Sequence, residues 1–183
     1  AHTVGLVAGY GRAFALQSTD SRGVAYDTTA WEATAGLRLR APLDPGDPDL
    51  ALVAAWHRQV FYVRAEDGRA LRGVPDLVYD SARLGVSARV PVGERFSVRA
   101  DAAYLFVVAT GELGDAFFPR VTSGAVDASA AVAARISAGV EARLGLEIRY
   151  YFHTMNAESG DRYQVAGASD RYLFGTLGVA WRR

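Results

Sequence analysis

Hydrophobic and polar residues alternate strictly along residues 140–153, which read VEARLGLEIRYYFH. A period of two is the pattern of a β-strand whose two faces meet different surroundings. One face carries apolar and aromatic side chains, and the other carries Glu141, Arg143, Glu147 and Arg149. The segment exceeds the roughly five or six residues of an ordinary strand and matches a tilted strand that crosses a bilayer.

The same alternation recurs along the chain between segments rich in Gly, Asp, Ser and Pro, which favour turns. We predict eight strands, at residues 4–16, 29–41, 50–64, 77–90, 96–108, 128–137, 140–153 and 172–181. The parity of 50–64 is open because apolar residues fall on both faces of that segment.

The connections between these strands alternate in length. Four are long and polar (17–28, 65–76, 109–127 and 154–171), two are tight (91–95 and 137–139), and 42–49 is intermediate. A meander then has every long loop at one end and both termini at the other, as in outer-membrane barrels. We predict an all-β fold, an eight-stranded antiparallel up-and-down transmembrane β-barrel, in a single domain spanning 1–183.

Aromatic residues are placed where a membrane barrel carries its girdles, at the two water interfaces. The predicted girdle comprises Trp31, Tyr62, Tyr104, Tyr150 and Tyr172, with Tyr79, Phe106, Phe152 and Phe174, beside the long loops, and Trp181 and Phe96 at the opposite end. In a soluble sheet the same residues would be ordinary strand formers.

The polar positions of the strands carry charges of both signs, separated by small residues. The predicted interior network comprises Glu32, Arg38, Arg83, Arg99, Asp101, Arg135, Glu141, Arg143, Glu147 and Arg149. Because unpaired buried charges are costly, we expect a closed, salt-bridged lumen and no open pore. A lipocalin-like soluble carrier would turn the apolar face inward around an apolar ligand. We favour the membrane orientation because the apolar face is almost free of charge at mid-strand, where arginine in lipid costs about 2–4 kcal/mol.

The amino-acid composition narrows the range of binding partners and cofactors. The formal net charge is zero and the 20 basic residues are all arginine, which gives no basic field for nucleic acid. With no cysteine and no ligand spacing among His2, His57 and His153, we expect neither a metal nor a cofactor. Asp44, Asp47 and Asp49 are explained by turn chemistry. No apolar run reaches the length of about 20 residues that a membrane helix needs.

The last strand ends with alternating apolar residues and a terminal aromatic: Leu173, Leu177, Val179 and Trp181. With its strand count and loop asymmetry, the whole chain resembles the small eight-stranded outer-membrane proteins of Gram-negative bacteria, the group of the OmpA transmembrane domain, OmpX and OmpW. Arg182 and Arg183 after the aromatic depart from that pattern. The resemblance implies a bacterial outer-membrane location in the cell envelope, periplasmic termini, and surrounding outer-membrane lipid and lipopolysaccharide.

A catalytic alternative rests on residues 152–157, FHTMNA, which resemble the His-x-Ser-Asn-Ala element of lipid A deacylases. Met155 stands where that family has its nucleophilic serine, and a thioether cannot be activated by a base. Strand parity also turns His153 toward the lumen and away from lipid. We therefore expect no enzymatic activity, with a lipid A-modifying enzyme as the second interpretation.

The long loops are the remaining candidates for function. The third loop contains Phe117, Phe118 and Arg120, an apolar pair with a cation that suits membrane insertion or a protein partner. The alternative is that both rings fold back onto the barrel rim. We expect a structural, adhesion or partner-recognition role through these loops, either as a single barrel or as one subunit of a larger envelope assembly.

Overall fold

The computed structural model describes residues 3–19, 21–41, 48–65, 67–71 and 73–181, without the side chains of residues 180 and 181. His2, the segment 42–47 with Asp44 and Asp47, and the final Arg182 and Arg183 lie outside the described residues. The elements are β1 (Val4–Arg12), β2 (Leu16–Thr19), β3 (Ala25–Arg40), β4 (Asp49–Arg64), β5 (Leu77–Val92), β6 (Phe96–Gly111), a π-helical turn (Leu113–Phe117), β7 (Thr122–Ser137), β8 (Val140–Thr154) and β9 (Gly167–Trp181).

The strands form one antiparallel sheet in which each long strand pairs with the next along the chain, from β1 through β3 to β9. The prediction of an all-β, up-and-down antiparallel fold is confirmed. The short β2 continues β1 along the same partner, since Arg12 faces Trp31 and Leu16 faces Thr28. Ala15, at a positive φ of 54°, lies in the break between them. Within the described residues the order begins at β1 and ends at β9, with no pairing between these two edges.

Five strands (β3, β6, β7, β8 and β9) extend further toward the long loops than the sequence predicts, and β3 to β9 each contain 15 or 16 residues. β7 begins at Thr122 instead of residue 128, and β9 begins at Gly167 instead of 172. The Gly, Ser and Asp residues in these two added segments favour turns and loops over strands. Pairing with Thr154, which faces Thr122 on one side and Gly167 on the other, overrides that preference.

Glycine on the concave inner face lets neighbouring strands approach closely. A Cβ atom at Gly36 would lie 2.3 Å from the carbonyl oxygen of Ala54, and one at Gly85 would lie 2.5 Å from that of Ala102. No side chain fits at either position. The small residues among the charged ones therefore permit a tightly curled sheet.

The apolar face of the sheet is the outer one. Leu6, Leu144, Leu146, Leu173 and Leu177 are 62% to 88% exposed. The inner face buries polar and aromatic side chains, among them His57, Tyr79, Ser81, Glu141, Arg149 and Tyr151. This is the reverse of the usual arrangement in a water-soluble protein, in which charged residues are almost never fully buried. None of the described helices is long and apolar enough to cross a membrane.

Candidate functional site

Arg149 lies at the centre of the interior. Its side chain is 4% exposed, and its Nη1 atom lies 2.7 Å from Glu32 Oε2, 2.7 Å from Gln59 Oε1 and 3.0 Å from His57 Nε2. Its Nη2 atom donates to Glu147 on the same strand. Because β8 is not a sheet neighbour of β3 or β4, these bonds cross the interior and hold the curl of the sheet.

The contact with Arg149 fixes the protonation of His57. A guanidinium group only donates hydrogen bonds, so Nε2 of His57 must present a lone pair. The ring hydrogen is then on Nδ1, which donates to Thr34 Oγ1 at 2.9 Å. His57 is therefore a neutral, structural member of the network.

Further ion pairs fill the interior toward the short turns. Arg83 forms two bonds to Asp127, at 2.9 and 3.0 Å, and Arg89 contacts Glu141 at 2.6 Å. Other pairs are Arg99 with Asp101, Arg143 with Glu141, and Arg38 and Arg40 with Asp49. Well-paired, hydrogen-bonded charges of this kind tolerate burial where single charges do not.

All ten residues of the predicted network occupy inner-face positions, and nine of them have an ion-pair partner. Arg135 is exposed opposite Glu141 and makes no ion pair within the part of the chain described. Sequence reasoning missed Asp127, which it placed in a loop, and His57 and Gln59, because the parity of β4 was open. The register with β3, where Gln59 faces Glu32, supplies that parity.

Two stacked tyrosines lie above this network, toward the long loops. The rings of Tyr79 and Tyr151 are 4.1 Å apart and fully buried, packed with Leu105 and Ala125. Tyr151 donates to Gln59 Oε1 at 3.0 Å, and Tyr79 donates to Asp170 on the other side. The tyrosine pair therefore separates two polar regions, and each region receives one hydroxyl.

The upper region brings His153 against a serine and an aspartate from the neighbouring strands. Ser123 faces His153 in the β7–β8 register, with its Oγ atom 2.7 Å from Nδ1. On the other side of the ring, Nε2 lies 3.3 Å from the Tyr79 hydroxyl and 3.5 Å from Asp170 Oδ2. The His153 side chain is 1% exposed, whereas that of Asp170 is 33% exposed.

Hydrogen-bond roles in this upper region follow from the carboxylate, which only accepts. Tyr79 gives its hydrogen to Asp170, so its oxygen is free to accept from Nε2–H of His153. Nδ1 then presents a lone pair to the Ser123 hydroxyl. Sequence reasoning missed Ser123 and Asp170 because both were assigned to loops, and only the strand register brings them to His153.

The outer aromatic residues form a connected cluster near the long loops. Tyr104 and Phe106 are 4.6 Å apart, Tyr104 and Phe152 are 6.2 Å apart, and Phe152 also contacts Tyr150. Trp31 stacks on Tyr10, and Arg64 lies over the ring of Tyr62. A Cβ atom at Gly124 would lie 2.5 Å from the Tyr104 hydroxyl, so this glycine makes room for the cluster.

Three predicted girdle residues are corrected. Tyr172 packs inside against Tyr151 and Phe61, Tyr79 is fully buried, and Phe174 lies inside beneath the Arg149 guanidinium. Each lies one position from an outward residue, and a shift of one position moves a side chain to the opposite face of a strand. The Trp181 side chain lies outside the described residues.

The third and fourth long loops bind each other. Phe117 stacks on Tyr163 at 5.3 Å, and Phe118 contacts the same ring at 5.9 Å. Arg120 pairs with Asp161 and with Glu158, and Asn156 donates to the backbone oxygen of Arg120 at 2.9 Å. We call this set the loop clasp: Phe117, Phe118, Arg120, Asn156, Glu158, Asp161 and Tyr163.

Both phenylalanines are thus half-buried against the neighbouring loop, while Arg120 is exposed. The Arg120 guanidinium and a backbone N–H of Glu158 lower the pKa of Asp161. The clasp gives the long-loop end a defined surface.

No known protein family, curated protein or solved structure matches this chain. Across the described ranges, no set of three or more histidine, aspartate or glutamate side chains is arranged to hold a metal ion.

Proposed function

We propose that this chain is a transmembrane β-barrel of the bacterial outer membrane, with outer-membrane lipid and lipopolysaccharide around its apolar face. The observation that carries the proposal is the exposure of leucine and valine along the outer face of every long strand, over an interior of buried charges. In water such a surface would be an aggregation hazard, and in a bilayer it is the required one.

Closure of the barrel through β1 and β9 is part of this proposal. Each edge strand has a row of backbone donors and acceptors, and in hydrocarbon every unpaired group costs several kcal/mol. The lipid environment therefore favours pairing of the two edges. Both termini then lie on the short-turn side, which we assign to the periplasm.

The lumen of such a barrel would not conduct. The bonds from Arg149 to Glu32 and Gln59 span the interior, and the stacked pair of Tyr79 and Tyr151 fills it above them. We propose a structural or partner-recognition role, in which the loop clasp presents Phe117, Phe118 and Arg120 to a protein partner as part of an envelope assembly.

Gel mobility tests the barrel. A folded membrane barrel extracted in detergent should migrate differently before and after boiling, and its folded band should resist added protease. An unchanged mobility in lipid-reconstituted protein would contradict the proposal. A monodisperse chain that stays soluble without detergent would also contradict the membrane barrel.

Planar-bilayer recording tests the closed lumen separately. The native chain should give no stable single-channel steps, whereas replacing Arg149 and Tyr151 by alanine together should open a path. Large stable steps from the native chain would show that the lumen conducts.

A further inference from the structure

We propose that Ser123 is a nucleophile activated by His153, and that the loop end of the interior hydrolyses short-chain carboxylic esters that arrive from the water side. This activity goes beyond the structural role proposed above. The expectation of no catalysis rested on Met155 in the place of a serine, and the neighbouring strand supplies a serine instead.

The geometry meets the requirements for base activation of a hydroxyl. A nucleophile needs a base within hydrogen-bond reach and a third group that orients the base. Ser123 Oγ lies 2.7 Å from Nδ1 of His153, and Tyr79 with Asp170 holds the other ring nitrogen. Asp170 and Tyr79 act as positioning residues, because they reach the reaction only through the imidazole ring.

Burial decides the direction from which a substrate reaches Ser123. The Ser123 side chain is on the inner face of the sheet. At the same level on the outer face, Gly124 lies against the rings of Phe152 and Tyr104. An acyl chain in the surrounding lipid is therefore screened from the hydroxyl. Ser123 is half-buried and Asp170 is one-third exposed, so the approach is from the loop end.

The floor of this region limits the size of the acyl group. Tyr79, Tyr151, Leu105 and Ala125 form a fully buried apolar cluster, with Val107 packed against it. An apolar floor suits the acyl group of an ester, while the stacked rings leave no depth for a long chain. We therefore assign esters of short carboxylic acids as the substrate class.

The reaction balances with water as the only co-substrate. Ser123 Oγ attacks the ester carbonyl carbon while its proton passes to Nδ1 of His153, and the ester C–O bond then breaks as that proton moves to the departing alcohol. Water next gives a proton to Nδ1 and attacks the acyl-serine. The carboxylic acid leaves, and the proton returns to Ser123.

The first test measures hydrolysis of p-nitrophenyl butyrate by the detergent-folded full chain. Ser123→Ala and His153→Gln should each lower turnover at least about 100-fold, the usual contribution of a general base. Ser129→Ala is the matched control, since Ser129 is half-buried on the same face of the same strand and contacts Asp101, not histidine. Turnover that survives in Ser123→Ala would overturn the proposal.

Substrate length tests the route of access. The butyrate ester should be hydrolysed faster than p-nitrophenyl palmitate presented in mixed micelles. A preference for the palmitate ester would show that acyl chains arrive from the lipid side and would refute the assigned substrate class.

A second test does not depend on turnover. The chain contains no cysteine, so Ser123→Cys and Ser129→Cys each introduce one thiol without background. An ordinary thiol is mostly protonated below about pH 8.5, whereas an imidazolium partner favours the thiolate. At pH 6.5 Ser123→Cys should react with iodoacetamide roughly tenfold faster than Ser129→Cys.

Adding His153→Gln to Ser123→Cys should remove that excess rate. Equal rates for the two single-cysteine variants would overturn the proposal, provided both show the folded band in the gel assay. Loss of the folded band in every variant and in the native chain would instead refute the membrane barrel. The two failures are therefore distinguishable.

Discussion

The interior contains two histidine–hydroxyl pairs that are alike in distance and different in chemistry. His57 lies 2.9 Å from Thr34 Oγ1, and His153 lies 2.7 Å from Ser123 Oγ, in each case through Nδ1. The far nitrogen of His57 meets Arg149, and that of His153 meets Tyr79 and Asp170. A donor on the far side forces the ring to donate to Thr34, whereas an acceptor leaves the ring free to accept from Ser123. The group on the far nitrogen thus decides whether a hydroxyl is held or activated.

The largest expected effect on stability comes from removing Arg149, which donates to His57. Arg149→Met leaves Glu32 and Glu147 without their common partner inside the sheet, a change that typically costs about 3–5 kcal/mol for a buried pair. We expect a large fall in the urea midpoint of the chain in lipid vesicles, followed by gel mobility. Arg69→Met is the control, because Arg69 is 86% exposed and an exposed ion pair contributes about 0–1 kcal/mol. Equal midpoints for the two variants would show that the Arg149 network does not stabilise the fold.

The alternation of residues was sufficient to predict the sheet and which face of β8 carries charge. Leu144 and Leu146 are outside and Glu147 and Arg149 are inside. Every second residue of a strand lies on the same face, so knowing which face is apolar fixes the face of every residue in the strand. The sequence could not show that Arg149 reaches across to Glu32. That contact depends on how strongly the sheet curls, and β3 and β8 are far apart in the chain.

A smaller effect on stability is expected when His57 is replaced. His57→Leu leaves the Thr34 hydroxyl without its ring partner, whereas Arg149 Nη1 keeps Glu32 and Gln59, and an unsatisfied buried polar group costs about 1–3 kcal/mol. The urea midpoint should fall by less than in Arg149→Met. The alkylation rate of Ser123→Cys should not change in this background. A changed rate would mean that the two histidine sites are coupled through the tyrosine layer.

The stacked rings of Tyr79 and Tyr151 allow a matched pair of substitutions, each of which removes a single oxygen atom. Tyr79→Phe removes the hydroxyl that serves His153, and Tyr151→Phe removes the one that serves Gln59. Tyr151→Phe loses one hydrogen bond, about 1 kcal/mol, and Tyr79→Phe loses two, to Asp170 and His153, while the ring stack remains. Only Tyr79→Phe should slow the alkylation of Ser123→Cys. Equal slowing in both variants would show that ring packing, not the hydroxyl, positions His153.

Ser123 and Asp170 show where sequence reasoning fails for a physical reason. They lie in the segments TSGAVD and GASDR, whose residues favour loops locally, yet both segments are strand because β8 extends to Thr154 and pairs on both sides. Local preference is weaker than a full ladder of backbone hydrogen bonds. Ser123 is therefore the direct cross-strand neighbour of His153, although 30 residues separate them in the chain.

The smallest effect on stability is expected outside the sheet, in the loop clasp. Arg120→Gln removes the partner of Asp161 at an exposed site, so the urea midpoint should not shift, while pepsin should cut the loops faster.

Because the pKa of Asp161 is lower in the folded chain than its ordinary value of 3.8, the ion pair stabilises the clasp above that pH. The stabilisation is lost as the pH falls through the lowered value. Native loops should therefore resist pepsin at pH 4 and become sensitive as the pH is lowered further, whereas Arg120→Gln loops should be sensitive throughout. Asp115→Asn, an exposed change in the same loop without an ion pair to Arg120, should behave as the native chain does. If Arg120→Gln and Asp115→Asn give the same digestion profile, the ion pair does not hold the two loops together.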